Sequence, residues 1–384
     1  MDFCQDLAKN YYQKKLEKLK QGVKVLDLSM INPDFDPPRA ALDKLVEFTL
    51  KPNYSRYAVA KGIRPLREAF CNKYQSFKVE LDAEKNVCVT SGSKNAFLSI
   101  LLSLANSNDE ILLPLPNYPA FFNSAKVANL KISYYQITDC EEKILDNIIL
   151  ALKKTKIRFL VLNFPNNPTG KTVKEDFYKN LILRIDDEID NKDLVIVNDF
   201  AYGEMEYDRE FSTSLFSAKS DKTNLLEIYT LSKAYSVPGW RIASIVGDEK
   251  LIKKIAEYKS LVDYGTYLPL QMAGAYLLNS NNKYPTGYKN LYLERARTLS
   301  RSLYEIGFEC STIKAGCCIW TKLPDYYDLN AYDFCLKLLE DYGIAIQFGD
   351  VYGDIKSRFL RIALIVNEAE LYRLINAIKE LCKR

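Results

Sequence analysis

Apolar runs and amphipathic segments alternate along the first two thirds of the sequence. Runs such as FLVLN and LVIVN lack the alternation of a half-exposed strand, which indicates strands buried on both faces of a mainly parallel sheet. Strands are predicted at Val87–Thr90, Ile111–Leu115, Ile157–Asn163, Leu194–Asn198, Leu226–Leu231 and Ile242–Val246. Helices between them are predicted at Asn95–Ala105, Lys174–Ile185 and Leu251–Leu261. The alternation predicts an α/β layered domain.

The pattern changes after about residue 265, where helices dominate. Further helices are predicted at Gln271–Leu278, Tyr288–Ile306 and Ala331–Tyr342, and short strands at Cys317–Lys322 and Phe359–Leu364. The last segment places Leu371, Leu374, Ile375, Ile378 and Leu381 on one helical face, and the first stretch, up to Lys20, also has a helical pattern. We therefore expect a large domain at residues 36–265 and a smaller α+β domain at residues 1–35 and 266–384, built from both chain ends.

Composition narrows the classes of protein that the sequence allows. The formal charge of +4, from 53 basic and 49 acidic residues, is too even to indicate a nucleic-acid partner. No apolar run is long enough to span a membrane, and the N-terminus lacks a signal pattern. Nine scattered cysteines indicate reduced thiols in a cytoplasmic protein.

The complete absence of histidine excludes several kinds of chemistry directly. A Ser-His-Asp triad, a Cys-His pair and a His-ligated metal site are all impossible, and no metal is expected. Acid–base work must come from lysine, from acidic, tyrosine or cysteine side chains, or from a cofactor. For an enzyme, this favours lysine chemistry.

One lysine stands in a polar loop after a predicted strand, in the stretch TLSKAYSVPGWR at residues 230–241. The amine of Lys233 can form a Schiff base with an aldehyde. Arg241 follows eight residues later, and its guanidinium could bind a phosphate together with the hydroxyls of Thr230 and Ser232. Taken alone, these residues could also be ordinary surface side chains on a loop.

Three other segments combine turn residues with groups that bind ligands. NFPNNPTG, at residues 163–170, ends a strand with a turn whose asparagine amides can bind a ligand. In NDFAYGE, Asp199 follows a strand and stands where open α/β sheets bind ligands. SGSKNA, at residues 91–96, places backbone amides at a helix start, where they favour a phosphate. Singly, each could be a plain turn or a helix cap.

In their order along the chain, SGSKNA, NFPNNPTG, NDFAYGE and TLSKAYSVPGWR, the four segments resemble the class I/II aminotransferases of the fold-type I pyridoxal-phosphate family, and the resemblance runs from about Val25 to the C-terminus. The resemblance implies a large domain with a mainly parallel, seven-stranded type of sheet and helices on both faces. It implies the cofactor pyridoxal 5'-phosphate and a ping-pong reaction that moves the amino group of an L-amino acid to a 2-oxo acid. It also implies a homodimer.

The resemblance assigns roles around the cofactor ring. Lys233 would carry the cofactor as a Schiff base and then move the proton. Asp199 would pair with the pyridine nitrogen and keep it protonated. Tyr202 and Asn167 would hydrogen-bond the phenolic oxygen, and Asn167 would also contact the substrate. Tyr118 would stack on the ring face.

It also assigns groups to the phosphate and the substrate carboxylate. The residues implied at the phosphate are Arg241, Thr230, Ser232, Gly92, Ser93 and Lys94. Tyr57 would reach the phosphate of the other subunit's cofactor. Arg361 would clamp the substrate α-carboxylate by a bidentate pair, although it could also form a surface ion pair.

One position departs from the family's pattern. In SMINPDF, at residues 29–35, Ile31 stands where the family has a glycine whose backbone lies against the substrate. An isoleucine there would narrow the pocket or displace the chain. The expected substrates are of the alanine, glutamate or aspartate type, because residues 263–271 resemble the alanine-type branch. Lys94 could bind a distal carboxylate, or Lys61 and Lys94 could be solvated surface lysines.

Two other classes of protein share this fold and these residues. A pyridoxal-phosphate-dependent carbon–sulfur lyase or a related synthase is the first alternative, and a lyase would release pyruvate and ammonia without an oxo-acid acceptor. A cofactor-binding regulator of transcription is the second. Such regulators carry an N-terminal DNA-binding domain, for which the stretch before Val25 is too short.

Overall fold

A computed structural model of the chain describes residues 2–208, 213–220, 223–280, 283–353 and 357–383, without the side chains of residues 2–5 and 283. The expected domain ranges include positions between these stretches, and those positions lie outside the described residues. The helices are α1 (Asp2–Lys20), α2 (Arg39–Thr49), α3 (Arg64–Gln75), α4 (Ser93–Leu104), α5 (Pro119–Val127), α6 (Glu141–Lys154), α7 (Glu175–Glu188), α8 (Leu231–Ala234), α9 (Glu249–Val262), α10 (Leu268–Leu278), α11 (Lys283–Glu305), α12 (Ala331–Tyr342) and α13 (Glu368–Leu381). The strands are β1 (Leu26–Asp27), β2 (Val87–Thr90), β3 (Glu110–Leu115), β4 (Lys131–Gln136), β5 (Ile157–Leu162), β6 (Val195–Asp199), β7 (Asn224–Thr230), β8 (Ala243–Gly247), β9 (Glu309–Cys310), β10 (Cys318–Lys322), β11 (Ile344–Ala345), β12 (Gln347–Phe348) and β13 (Phe359–Ala363). In the described part of the chain, no helix is both long and apolar enough to cross a membrane.

The central sheet has seven strands in the order β2-β8-β7-β6-β5-β3-β4. Strand β8 is antiparallel to β2 and β7, and the other neighbours are parallel. The side chains of successive residues in a strand of this sheet pack in two different hydrophobic cores. Val195 and Val197 pack in the core that includes α4 and α9, whereas Ile196 packs in the core that includes α6 and α7. The predicted α/β fold, a mainly parallel sheet with helices on both faces, is therefore confirmed.

The six strands predicted for this sheet are all present, each with its ends within two residues of the predicted ones. The pattern missed β4, because its sequence KISYYQ lies at the sheet edge and is largely half-exposed, so polar residues interrupt the apolar run. It also missed helices α2, α3, α5 and α6. For α6 the signal was present: Ile144, Leu145, Ile148, Ile149 and Leu152 form one buried face.

A second, antiparallel sheet has the order β12-β13-β10-β9 and contains Arg361 on β13. The N-terminal strand β1 pairs in parallel with β11, so the two ends of the chain meet in this part of the molecule. Helix α10 packs against α2 and α3. The division into residues 36–265 and a domain from both chain ends stays a proposal, which the β1–β11 pairing supports.

Candidate active site

The carboxyl ends of three neighbouring parallel strands form the floor of a large cavity. Strands β5, β6 and β7 lead into Asn163, Asp199 and Thr230 respectively. The cavity has a volume of about 960 Å³. The predicted site residues that line it are Ile31, Ser93, Lys94, Tyr118, Asn167, Asp199, Tyr202, Thr230, Ser232, Lys233, Arg241 and Arg361. Residues 330 positions apart in sequence thus share one site because the ends of adjacent strands meet there.

Lys233 lies in the short helix α8, directly after β7. Thr230 caps this helix, because its Oγ1 accepts a hydrogen bond from the backbone N–H of Ser232 at 3.2 Å. The Lys233 Nζ donates to the carbonyl oxygen of Ile31 at 2.6 Å. Burial lowers the pKa of Lys233, and the nearby Cys317 thiol opposes that change. Lowering this pKa increases the neutral, nucleophilic fraction of the amine at neutral pH.

Asp199 is the last residue of β6 and is buried in the cavity floor. Burial raises the pKa of Asp199 to about 6, although the N–H of Ala201, 3.1 Å from Oδ1, and the charge of Lys233 both lower it. The carboxylate is therefore costly in this place without a cation beside it. Such an acid suits a ligand that brings a positive charge.

Asn163 connects the two sides of the cavity floor. Its Nδ2 donates to the carbonyl oxygen of Asp199 at 3.0 Å, and its Oδ1 accepts from the backbone N–H of Asn167 at 3.0 Å. Tyr202 is buried beside them, and burial raises the pKa of its hydroxyl well above the ordinary value. The Tyr202 hydroxyl therefore stays protonated at neutral pH and can donate a hydrogen bond to a ligand oxygen.

A set of anion-binding groups lies at the start of helix α4. Gly92 precedes this helix with a φ of +84°, and any Cβ there would collide with the guanidinium of Arg241. The N–H of Gly92 itself donates to the carbonyl of Thr90 at 2.8 Å. The amides of Ser93 and Lys94 begin the helix, where N–H groups have no acceptor within the helix. The contribution of Gly92 is thus the space for Arg241 rather than a free amide.

The hydroxyls of Thr230 and Ser232 add to this region, with their oxygens 2.9 Å apart. Both residues are buried and line the same cavity as Arg241. The Thr230 hydroxyl donates to the carbonyl of Ile242 at 3.0 Å, so the Ser232 hydroxyl, the Arg241 guanidinium and the helix N-terminus form the donor set that suits a phosphate.

Arg361 is buried on β13 and points into the cavity. Its Nη2 donates to the carbonyl of Ser29 at 2.5 Å, and its Nη1 donates to Oδ1 of Asn167 at 3.4 Å. Its guanidinium lies 5.3 Å from the ring centre of Tyr352, and its Nε is buried without a hydrogen-bond partner. Among the ion pairs of the described residues, none includes Arg361. A buried guanidinium of this kind suits a carboxylate ligand.

Tyr118 precedes helix α5, and its ring packs edge-on against Phe121 at 5.7 Å between ring centres. Lys94 is exposed, with its Nζ 5.8 Å from the centre of the Tyr118 ring. Tyr57 does not line the cavity: its side chain is 88% exposed and contacts the ring of Tyr264 at 5.0 Å. In one subunit, Tyr57 is therefore separate from the other predicted site residues.

The donor set fits pyridoxal 5'-phosphate. An aldehyde-reactive amine, a buried acid and a phosphate-binding set line one cavity, and each matches one functional group of that cofactor. The orphaned Nε of Arg361 marks a further position for an anion in the same cavity.

Sequence reasoning missed several residues of the site. Asn163 was quoted within NFPNNPTG but received no role, although an asparagine at the end of a buried strand was a usable signal. Tyr352 lies under Arg361 from a short 3-10 turn, and Ser29 acts through its backbone carbonyl. Neither has a local sequence signal, because their roles depend on the distant Arg361.

Comparisons with known proteins identify the family of the chain. The family described as Aminotransferase class I and II matches residues 23–378. Glutamate-pyruvate aminotransferase AlaC of Escherichia coli is 29% identical over 95% of this chain and 88% of its own length. Putative aminotransferase AatC of Rhizobium meliloti is 30% identical over 93% of this chain and 88% of its own length. The substrate-bound structure of BacF from Bacillus subtilis has a TM-score of 0.86 at 24% identity, covers 98% of this chain and 94% of its own, and shows likeness in fold.

Proposed function

The chain belongs to the class I and II aminotransferases, and from that premise we propose that Lys233 carries pyridoxal 5'-phosphate in the cavity at the strand ends. One observation carries the proposal: a half-buried lysine with a lowered pKa shares a cavity with a buried acid and an arginine outside any described ion pair. Asp199 is assigned to the ring nitrogen, and Asn167 and Tyr202 to the phenolic oxygen.

The protein is an aminotransferase, and its residues divide the work of amino transfer. When bound, the cofactor supplies an electron sink for the bond broken at the substrate α-carbon. Arg361 binds the substrate α-carboxylate by two parallel hydrogen bonds and, with Tyr118 against the ring face, orients the Cα–H bond. Lys233 Nζ takes the proton from that carbon and returns it at the next step, which its lowered pKa favours.

We place the substrates among amino acids of the alanine and glutamate type, with aspartate as the second possibility. The support is the similarity to a relative named glutamate-pyruvate aminotransferase and the stretch at residues 263–271. A half-reaction screen tests this, by mixing the cofactor-loaded protein with single amino acids and following the loss of the lysine-bound cofactor absorbance. Conversion by alanine or glutamate is expected. Pyruvate and ammonia formed without an oxo-acid acceptor would indicate a lyase instead.

Arg361→Gln is expected to lower kcat/KM for every amino acid by roughly 10²- to 10⁴-fold, because each hydrogen bond to a charged group contributes about 1.5–3 kcal/mol. The cofactor absorbance should remain, since Arg361 is assigned to the substrate alone. Arg361→Lys serves as a control that keeps the charge but loses the bidentate geometry. Loss of cofactor with unchanged amino-acid affinity would contradict this role.

A homodimer is proposed from the exposed surface around Tyr57. Val59 is an exposed apolar side chain two residues from Tyr57 in sequence, and the exposed Tyr264 contacts the Tyr57 ring. Leu261 and Val262, which precede Tyr264 in the chain, are also exposed. The carbonyl of Val59 lies against Gly265, so the two loops are in contact. Exposed apolar side chains that contact one another are typical of a protein–protein interface. A second copy of the chain would bring Tyr57 to its neighbour's phosphate.

Tyr57→Phe is expected to leave a dimer that loses cofactor several-fold faster on dilution, because one hydrogen bond to the phosphate is removed. Dissociation is followed by absorbance, and the oligomeric state by analytical ultracentrifugation. A fully active monomer, in the wild type or the variant, would contradict the cross-subunit role.

The cytoplasm is proposed as the location of the enzyme. The eight cysteines whose side chains are described are all free, and six of them are buried. Free thiols in this number fit a reducing compartment.

A further inference from the structure

Ile31 lies in the segment that contacts both groups assigned to the amino-acid substrate. The carbonyl of Ser29 accepts from Arg361 Nη2 at 2.5 Å, and the carbonyl of Ile31 accepts from Lys233 Nζ at 2.6 Å. The amine and the carboxylate of an α-amino acid are attached to the same carbon. A substrate that presents its amine toward Lys233 and its carboxylate to Arg361 therefore has its α-carbon beside this segment.

The side chain of Ile31 forms part of the cavity wall at this place. It lines the cavity and is half-buried, packed against the main core of the protein. Branching at Cβ leaves isoleucine few χ1 rotamers, so the side chain cannot readily turn aside for a larger substrate. The carbonyls of Ser29 and Ile31 face Arg361 and Lys233, so this segment borders both groups.

The cavity wall that contains Ile31 also contains other apolar and aromatic side chains. Tyr118, Val351 and Ile365 line the same cavity. The lining cations are Lys94, Lys233, Arg241 and Arg361, of which the last three already have assigned ligands. Asp27, also in the lining, is paired with Lys15 at 2.8 Å. Together with Ile31, the apolar and aromatic side chains offer a substrate side chain an apolar surface.

We propose that Ile31 determines substrate specificity by limiting the size of the amino-acid side chain. The enzyme then prefers L-amino acids with small side chains, with alanine as the model substrate, over branched and aromatic ones. The inference rests on the proposed function, because it requires the amino acid to bind between Lys233 and Arg361.

The test compares the half-reactions of alanine, valine and phenylalanine in the cofactor-loaded wild type and in Ile31→Val, Ile31→Ala and Ile31→Gly. The wild type is expected to prefer alanine to phenylalanine by about 100-fold or more in kcat/KM, because each methylene that does not fit changes the discrimination by roughly 10–200-fold. Ile31→Ala should shrink that preference by at least about tenfold through faster reaction with phenylalanine. The effect should grow in the order Val, Ala, Gly, as more side-chain volume is removed.

Leu150→Ala is the matched control, because Leu150 is an exposed aliphatic side chain on α6 outside the cavity lining. Its alanine-to-phenylalanine preference should equal that of the wild type. A wild type that converts both amino acids equally well would overturn the inference alone. The inference alone would also be overturned if Ile31→Ala and Ile31→Gly kept the wild-type preference for alanine over phenylalanine. A wild type whose cofactor no amino acid converts would overturn the proposed function, and the inference with it.

Discussion

Lys233→Ala is expected to abolish the lysine-bound cofactor absorbance and to lower the half-reaction rate by at least about 10⁴-fold, because both the covalent link and the proton-transferring base are lost. The half-buried position of Lys233 and its lowered pKa support its assignment as the nucleophilic amine of the cavity. Borohydride reduction of the loaded wild type, followed by peptide mass spectrometry, should place the added mass on the peptide that contains Lys233.

Lys94→Ala distinguishes the two lysines that line the cavity. Lys94 is exposed and contacts the ring of Tyr118, so its loss should leave the covalent cofactor absorbance in place. A reduced adduct on any other lysine in the Lys233→Ala protein, or normal turnover by that protein, would overturn the central assignment.

Asp199→Asn is expected to lower the transamination rate by roughly 10³-fold or more, because the ring nitrogen loses the charge that keeps it protonated. In the cofactor-free protein, the same substitution is expected to raise the free energy of unfolding rather than to impair the protein. Asp199 has a folded-state pKa of about 6 against the ordinary value of 3.8, so the folded protein holds this proton more tightly than the unfolded chain does. Stability from this group is therefore present below about pH 4 and is lost as the pH rises toward 6.

The pKa difference corresponds to roughly 3 kcal/mol at neutral pH. Cofactor-free Asp199→Asn should therefore unfold at a higher temperature than cofactor-free wild type at pH 7.5. The difference in unfolding temperature between the two proteins should disappear as the pH falls to about 4, where Asp199 is protonated in both the folded and the unfolded wild type. The measurement is thermal unfolding of both proteins across this pH range. A variant that is less stable at pH 7.5, or a difference independent of pH, would refute the buried-acid account.

The local pattern of apolar residues was sufficient to predict six of the seven strands of the large sheet. The residue types were sufficient to narrow the chemistry. Runs such as FLVLN are apolar at every position, and burial on both faces of a parallel sheet is the state that such runs favour. The edge strand β4 was missed because it is largely half-exposed and polar residues interrupt its apolar run, so its pattern lacks that signal. The absence of histidine and the lysine after a strand narrowed the chemistry before any coordinates were considered.

The order of four motifs determined the family, and with it the expected roles of Lys233 and Asp199. Only the tertiary structure decided how these groups interact. Asp199 has its raised pKa because the surrounding side chains exclude water. Arg361 donates to Asn167 and Ser29, which lie far from it in the sequence, and its buried Nε has no hydrogen-bond partner. Burial and long-range contact depend on all the packed elements together, so neither can be computed from a residue's neighbours in the sequence. The position of Ile31 beside Lys233 also depends on the tertiary structure. The sequence showed an unusual residue, and the fold places its carbonyl at the amine of Lys233.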